Sequence, residues 1–381
     1  MRMKWICLAL AALMALPCCA LAQAAPGNSL GLSALALVYK QGENAVLSPY
    51  SLMSALMMVA EGAKDETLEE IRSALGAEEL ADVSLELPDS VRVANAALVG
   101  KNIELAEPYR QILEQRYGAG IFALDAQDPV GQINDWAREA TEGLIDGLMD
   151  EAPADEIELA LLNALALNAK WQTPFDPEDT RDDVFYTSLE PDEPAVATYM
   201  RMEAYLSYAQ AGDLRAAALP YEDGRLEMIL VLSDSGDIKG ALEKLARDGL
   251  EALGAFEAKY VSLSMPKLSL NVGYRLNDAL MALGIRRAFT QDAQFEPMTG
   301  EDELLLDSVY QKVRLDVDED GTRAAAASGA VMVAKSALII DEPIDMTANH
   351  PYILLLRDTQ SGALIFAAAV ENPSLSTLSS N

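Results

Sequence analysis

The feature that most constrains this chain is an alternating segment that runs into a tract of small side chains. Residues 312–317, Lys-Val-Arg-Leu-Asp-Val, alternate polar and apolar residues as a half-buried strand does. Residues 318–329 follow with the sequence Asp-Glu-Asp-Gly-Thr-Arg-Ala-Ala-Ala-Ala-Ser-Gly. Such a tract has few large side chains to anchor a loop or to pack as a strand, but it can slide between neighbours without steric penalty. It therefore indicates motion rather than chemistry.

Residues 1–22 have the pattern of a secretory signal. A basic start is followed by an apolar run at 6–16, which is too short to span a bilayer, and Ala20-Leu21-Ala22 offers a small-x-small cleavage site. Lipid attachment at Cys18 or Cys19 is the alternative, although neither cysteine follows the small residue that is usual there. We therefore predict a secreted or periplasmic protein.

Cysteine and histidine usage excludes several kinds of enzyme. The three cysteines, Cys7, Cys18 and Cys19, all lie in the predicted leader, and the sequence contains one histidine, His350. A Cys-His site and a multi-histidine zinc site are therefore excluded from the mature chain. A serine hydrolase would depend on His350, which stands before the apolar run 352–356, where a structural hydrogen-bonding role is predicted instead.

The chain is strongly acidic. Its formal net charge is −32, and removal of Arg2 and Lys4 with the leader changes it to −34, because residues 1–22 contain no acidic residue. Nucleic acids and anionic membranes bind through basic residues, so neither is an expected partner. The charge predicts a soluble, self-repelling surface, with the steering of a basic partner as the alternative. No cofactor and no metal are expected.

Helices and strands are both predicted, without the strand–helix–strand alternation of a parallel sheet. Helical spacing is found at Leu30–Lys40, Leu52–Glu61, Thr67–Leu75, Ala106–Tyr117, Gln132–Thr141, Ile238–Arg247 and Tyr274–Leu283. Strand patterns are found at Val91–Val99, Ile121–Leu124, Leu161–Trp171, Ala216–Leu219, Met228–Leu232, Val261–Met265, Tyr352–Leu356 and Ala363–Val370. About 359 residues remain after Ala22, which predicts one α+β domain over residues 23–381.

Short motifs in a fixed order give the chain a family resemblance that covers nearly the whole mature sequence. They are Ser48-Pro49-x-Ser51, Glu61-Gly62-Ala63-Lys64, Asn95-Ala96, Trp136 with Thr141-Glu142-Gly143, Leu162-Asn163-Ala164, Trp171-x-x-Pro174-Phe175, Leu219-Pro220-Tyr221, Met265-Pro266-Lys267, residues 318–328 and His350-Pro351-Tyr352. In this order and spacing the chain resembles the serpin family. The resemblance implies three β-sheets, about eight or nine helices and an exposed reactive-centre loop at about 319–345.

The same resemblance implies a suicide inhibitor of proteases rather than an enzyme. A protease cleaves the exposed loop, becomes acyl-linked to it, and is distorted when the hinge of the loop inserts as a new strand into a large sheet. The implied partner is the protease in a covalent complex, and the inhibitor itself is expected to be a monomer. A non-inhibitory serpin that acts as a binding or structural module is the alternative, as is an inhibitor of cysteine proteases.

The hinge residues divide between two faces of a strand, because alternate side chains of a strand point to opposite sides. In serpins the hinge starts at a glutamate, which is Glu319 here, and passes through Gly321. The inward face then carries only small side chains, at Thr322, Ala324, Ala326 and Ser328. Arg323 falls on the other face and can stay solvated.

The resemblance also locates the bond that the protease would cut. It lies sixteen residues after Glu319, between Lys335 and Ser336. A lysine suits a protease whose specificity pocket carries a buried carboxylate, as in trypsin-like enzymes. The alternative is that Lys335 only keeps the loop soluble.

Further site residues are implied one position at a time. Ser48, Ser51 and Asn163 match a hydrogen-bonding cluster under the sheet that opens, and Gln311 stands where the family usually has histidine. Glutamine can donate and accept hydrogen bonds but does not titrate. Trp171 matches the tryptophan at the top of that sheet. Lys267 and Glu319 match an ion pair at the base of the hinge.

A calcium loop competes for the same acidic stretch. Asp316, Asp318 and Asp320 before Gly321 copy the opening of an EF-hand. The bidentate glutamate expected at the twelfth position is Ala327, and the flanking segments do not have the pattern of two helices. Calcium binding is therefore not predicted.

Overall fold

The computed structural model describes residues 25–77, 86–123, 128–149, 158–189, 192–300, 304–322 and 342–375. The predicted leader and the bond between Lys335 and Ser336 lie outside these residues. Within them, no helix has the length and apolar character needed to cross a membrane.

The described residues form eight α-helices. They are α1 (Asn28–Val38), α2 (Pro49–Glu61), α3 (Asp65–Leu75), α4 (Glu107–Tyr117), α5 (Pro129–Ala140), α6 (Ile238–Asp248), α7 (Asn277–Ala282) and α8 (Glu296–Thr299). The start of α2 shows why the sequence forms a helix here. Ser48 accepts a hydrogen bond from the Ser51 amide, and Pro49 occupies the first helical position, where its missing N–H costs nothing.

Sixteen strands accompany these helices. They are β1 (Ala45–Leu47), β2 (Val91–Val99), β3 (Gly120–Ala123), β4 (Leu159–Leu167), β5 (Ala169–Lys170), β6 (Arg181–Phe185), β7 (Ala195–Ala211), β8 (Leu214–Pro220), β9 (Leu226–Ser233), β10 (Glu257–Pro266), β11 (Leu268–Arg275), β12 (Ser308–Val317), β13 (Gly321–Thr322), β14 (Ile344–Thr347), β15 (Tyr352–Asp358) and β16 (Leu364–Val370). The α+β class that the sequence predicts is confirmed.

The strands assemble into two hydrogen-bonded sheets in the described part of the chain. One has the order β1-β16-β15-β9-β8-β7-β10-β14, with β6 on β7, and the other has the order β3-β2-β4-β12-β13-β5, with β11 on β12. Two of the three predicted sheets are joined in the first of these sheets. They are joined because they share β7, which is 17 residues long. Its beginning pairs with β6 and its end with β8, so it belongs to both.

The second sheet is the one that matters for function. At its centre β4 and β12 run parallel and pair directly, from Ala160 opposite Ser308 to Ala166 opposite Arg314. One face of this centre packs on the main core, and the other carries small side chains, among them Ala164 and Ala166, in a separate apolar cluster to which α5 and residues 144–149 also contribute. At one end of this sheet, which we call the upper end, β4 and β12 are separated. There β13 lies between β12 and β5, the short strand that follows β4.

One predicted helix begins at the wrong place. The helix expected at Tyr274–Leu283 starts only at Asn277, because residues up to Arg275 belong to β11. In β11 the alternating residues Leu268, Leu270 and Val272 are buried, and pairing along β12 extends this strand to its end.

Candidate functional site: the hinge base and its slot

The hinge base, residues 318–322, is a tight turn that carries the chain from β12 into β13. The Asp318 carboxylate accepts hydrogen bonds from the amides of Asp320 (3.0 Å) and Gly321 (3.2 Å), and the Asp318 amide donates to the Gly321 carbonyl at 2.9 Å. Burial raises the pKa of the Asp318 carboxyl above its usual value. The sequence Asp-x-x-Gly therefore forms a self-supporting turn that aims the chain back along β12.

Trp171 and the residues after it hold this turn by its carbonyl groups. The indole Nε1 of Trp171 donates to the Asp318 carbonyl at 2.9 Å, and its backbone amide donates to the Asp320 carbonyl at 3.0 Å. The amide of Phe175 donates to the Glu319 carbonyl at 3.0 Å. The Trp171 ring stacks on Tyr221 with centroids 4.4 Å apart. The tryptophan that the resemblance assigns to the top of the sheet thus contacts the hinge base directly.

An ion pair holds the Glu319 side chain of the hinge base. Lys267 Nζ lies 2.6 Å from Glu319 Oε2, and Thr180 donates to Glu319 Oε1 at 2.9 Å. Burial alone would raise the pKa of Glu319, but the hydrogen bonds from Lys267 and Thr180 and the lysine charge outweigh it and lower the pKa. The stabilisation is complete above the unfolded pKa of about 4.3 and is lost as the pH falls through the lower folded value.

The two residues of β13 sit between strands on both sides. Thr322 pairs with Val317 of β12 and with Ala169 of β5, and its side chain is only 1% exposed. Its hydroxyl lies 2.6 Å from the hydroxyl of Tyr221, which is fully buried. Gly321 approaches β5 so closely that an added Cβ would lie 2.1 Å from the Ala169 carbonyl oxygen. We call the space between β12 and β5 the slot. It admits only glycine at position 321 and a small side chain at position 322.

Gln311 contacts the polar cluster under the sheet through hydrogen bonds to the backbone of Ser48, the N-cap residue of α2. Its Oε1 accepts from the Ser48 amide at 2.8 Å, and its Nε2 donates to the Ser48 carbonyl at 3.0 Å. The glutamine thus uses both halves of its amide, which ties β12 to the start of α2. The predicted contact of Gln311 with this cluster is present, although its role in function stays a prediction.

Asn163 belongs to a second, neighbouring group. Its Nδ2 donates to Asn95 Oδ1 at 2.6 Å, and Asn95 in turn donates to the Tyr117 carbonyl at 3.1 Å and to Ser54 Oγ at 3.4 Å. Asn163 Oδ1 and Ser51 Oγ are buried without a hydrogen-bond partner in the described structure. Asn95 and Ser54 are the members that the sequence did not assign, although Asn95 stood in one of the family motifs.

The remaining predicted hinge and loop residues, Ala324, Ala326, Ser328, Lys335 and Ser336, lie outside the described residues.

The aspartates of the calcium motif have other partners. Asp316 accepts from Ser269 at 2.6 Å and from Arg314 at 2.8 Å, whereas the Asp318 carboxylate is bound by backbone amides. Within the described ranges no group of three or more His, Cys, Asp or Glu is arranged to hold a metal ion.

His350 lies two residues before β15, an inner strand of the nine-stranded sheet, and is partly buried. Its Nδ1 is 2.9 Å from Asn349 Oδ1, and burial lowers the pKa of the imidazole. This side-chain partner is an amide oxygen, so the geometry is that of a structural residue.

Comparison with known proteins identifies the family. The family model "Serpin (serine protease inhibitor)" matches residues 27–373. An uncharacterized serpin-like protein of Thermococcus kodakarensis is 29% identical over 349 residues, which cover 87% of this chain and 81% of that protein. Intracellular coagulation inhibitor 2 of Tachypleus tridentatus is 28% identical over 372 residues, covering 90% of this chain and 89% of the relative.

Solved structures show the same fold. The thermophilic serpin tengpin in its native state aligns with a TM-score of 0.81 at 24% identity, covering 91% of this chain and 93% of that one. An Arabidopsis serpin in a native stressed conformation aligns with a TM-score of 0.80 at 23% identity, covering 91% and 97%. The chain therefore belongs to the serpin family, whose members are generally protease inhibitors rather than catalytic enzymes.

Proposed function

We propose that this chain is a suicide inhibitor of a trypsin-like serine endopeptidase and traps the acyl-enzyme by inserting its cleaved loop between β4 and β12. The observation that carries the proposal is β13. Both residues of this strand, Gly321 and Thr322, already lie between β12 and β5 at the upper end of the sheet. A loop that continues this strand has one direct route, which leads between β12 and β4.

The register of the strands supports a specific fit along that route. Thr322 lies opposite Val317 on one side and Ala169 on the other, and β4 and β12 pair with the same offset lower down. Continuing this register would put the small inward-facing residues between pairs of buried residues. Ala324 would come between Leu315 and Leu167, Ala326 between Val313 and Leu165, and Ser328 between Gln311 and Asn163.

The expected position of Ser328 supports the proposal further. Gln311 and Asn163 are opposite each other in β12 and β4, and both are buried. Asn163 Oδ1 has no hydrogen-bond partner in the described structure. The hydroxyl of Ser328 can donate to such an acceptor, so the inserted strand would satisfy a group that is now unpaired. Arg323, on the other face, would lie opposite Asp316.

Backbone hydrogen bonding favours insertion. At present β4 and β12 share one parallel ladder of seven residue pairs. An inserted strand would replace it by two antiparallel ladders, and each added hydrogen bond contributes about 1 kcal/mol net. Ordering the loop costs about 1–2 kcal/mol per residue, so hydrogen bonds alone leave insertion near balance and repacking of the sheet must contribute the remaining driving force.

Lys335 supports the choice of target. In the serpin pattern the cut bond lies sixteen residues after the hinge glutamate, and counting from Glu319 gives Lys335–Ser336; the lysine ammonium group suits a specificity pocket with a buried carboxylate. We further propose that the inhibitor is a monomer and acts outside the cytoplasm, since residues 1–22 have the pattern of a secretory signal.

Titration with trypsin tests the proposal. We expect activity to be lost at a molar ratio near one, with a complex that survives heat and detergent. The variant Lys335→Glu removes the residue that trypsin selects and is expected to leave trypsin active, because its specificity pocket carries a carboxylate. Clean cleavage after Lys335 by trypsin that stays fully active would refute the inhibitory function.

A further inference from the structure

Two buried hydroxyl groups meet where the hinge enters the sheet. Tyr221, the residue after β8, is fully buried, and its hydroxyl lies 2.6 Å from Oγ1 of Thr322. The backbone of Thr322 pairs at the same time with β12 and β5. The first inward-facing residue of the hinge is thus already held in the sheet of the uncleaved chain.

The position of Tyr221 is itself fixed from several sides. Its ring stacks on Trp171 with centroids 4.4 Å apart, and its amide donates to the Leu226 carbonyl at 3.0 Å. A β-bridge joins Tyr221 to Trp171, whose indole and amide both bind the turn at 318–320. The tyrosine hydroxyl is therefore held at the slot by contacts that do not involve Thr322.

We call the hinge seated while Thr322 lies in the slot between β12 and β5. Two contacts distinguish this seated state from any other. If Thr322 left the slot, the Tyr221 hydroxyl would lose its partner in a buried position, which is unfavourable. At Gly321 the backbone of β5 leaves no room for a side chain, since a Cβ would lie 2.1 Å from the Ala169 carbonyl oxygen. Both contacts exist only while the hinge is seated.

We propose that Tyr221 is a positioning residue that holds the hinge seated before cleavage, so that insertion extends an existing strand end instead of nucleating a new one. The first part concerns the uncleaved protein alone. The second part, a faster insertion, rests on the inhibitory function proposed above.

Hydrogen exchange of the uncleaved protein tests the seating without any protease. In Tyr221→Phe and in Thr322→Val one buried hydroxyl is left unpaired, and exchange at residues 318–322 is expected to speed up about tenfold. The double variant removes both hydroxyls and is expected to restore slow exchange. Equal exchange in wild type and both single variants, or a double variant as fast as the singles, would overturn the proposal.

Two further variants separate seating from general loss of stability. Tyr352→Phe removes a buried hydroxyl that has no hydrogen-bond partner in the described structure, and exchange at 318–322 is expected to stay slow. Gly321→Ala keeps both hydroxyls but blocks the approach to β5, and fast exchange is expected. Fast exchange in Tyr352→Phe, or slow exchange in Gly321→Ala, would contradict the proposed contacts.

Trypsin then measures the consequence for trapping. We expect Tyr221→Phe to need several times more inhibitor per trypsin trapped than wild type, and the double variant with Thr322→Val to recover. An unchanged ratio in Tyr221→Phe would refute the link to insertion. If the wild type fails to trap trypsin, the proposed function fails, whereas the exchange experiment still decides whether Tyr221 holds the hinge.

Discussion

Replacing Thr322 by arginine should convert the inhibitor into a substrate. Thr322 is 1% exposed and its side chain faces the core between Val317 and Ala169. The substitution removes the hydrogen bond to Tyr221, at a cost of about 1–3 kcal/mol. It also requires burial of an unpaired guanidinium, which costs several kcal/mol more.

The magnitude decides the outcome of the reaction. A barrier raised by about 4 kcal/mol slows insertion roughly a thousandfold. Hydrolysis of the acyl-enzyme does not depend on insertion and keeps its rate, so nearly every encounter should end with cleaved inhibitor and free protease. The assay is the number of inhibitor molecules consumed per trypsin trapped, together with a gel of the products.

A matched substitution keeps this experiment interpretable. Thr322→Ser preserves a hydroxyl in reach of Tyr221 and adds no charge, so trapping should remain close to that of wild type. Trapping by Thr322→Arg at the wild-type ratio would refute the reasoning, because the hinge would then not need to bury residue 322.

Three other substitutions test the contacts that hold the fold. Arg225→Ala should lower the free energy of unfolding by about 3–5 kcal/mol in a denaturant titration, because Asp358 is fully buried and would lose its bidentate partner at 2.9 and 2.7 Å. Gln311→Leu should cost about 1–3 kcal/mol, since the amide and carbonyl of Ser48 would lose their partners. His350→Gln should flatten the fall in stability on acidification through the unfolded pKa of about 6.5: burial lowers the folded pKa, so the unfolded state takes up the proton first and stability falls as the pH is lowered towards the folded pKa.

For each of these substitutions a different result would contradict the expected contact. Arg247→Ala breaks an exposed pair with Asp248 and should change stability by less than about 0.5 kcal/mol; an equal loss in Arg225→Ala and Arg247→Ala would contradict the importance of burial. Unchanged stability of Gln311→Leu would contradict the tie between β12 and α2. A His350→Gln variant with the wild-type pH slope would show that another group titrates.

The sequence predicted the parts of this fold that local patterns determine. Strand Val91–Val99 and the tail hairpin follow from runs of apolar residues bounded by turn residues, and both are confirmed within a few positions. Strand β7 was not predicted at all, because its residues alternate irregularly between the core and solvent as the strand passes from one part of the sheet to another. Its pairing with β6, β10 and β8 determines it, and this is tertiary information.

The candidate site divides in the same way. Lys267, Glu319 and Trp171 were found through motifs, and the structure brings all three to the hinge base. Tyr221 was seen only as part of a motif, because nothing in the sequence reveals that its hydroxyl meets that of Thr322. Such a contact joins residues 101 positions apart, and it depends on the register of several strands.

The mass of the trypsin complex that survives detergent tests the central claim most directly. We expect one trypsin joined covalently to the inhibitor chain that ends at Lys335, with residues 336–381 separated from it by the cut. Digestion should then yield a peptide in which the Lys335 carbonyl is esterified to the serine of the protease. Intact trypsin alongside inhibitor cleaved after Lys335, with no ester between them, would contradict trapping of the acyl-enzyme.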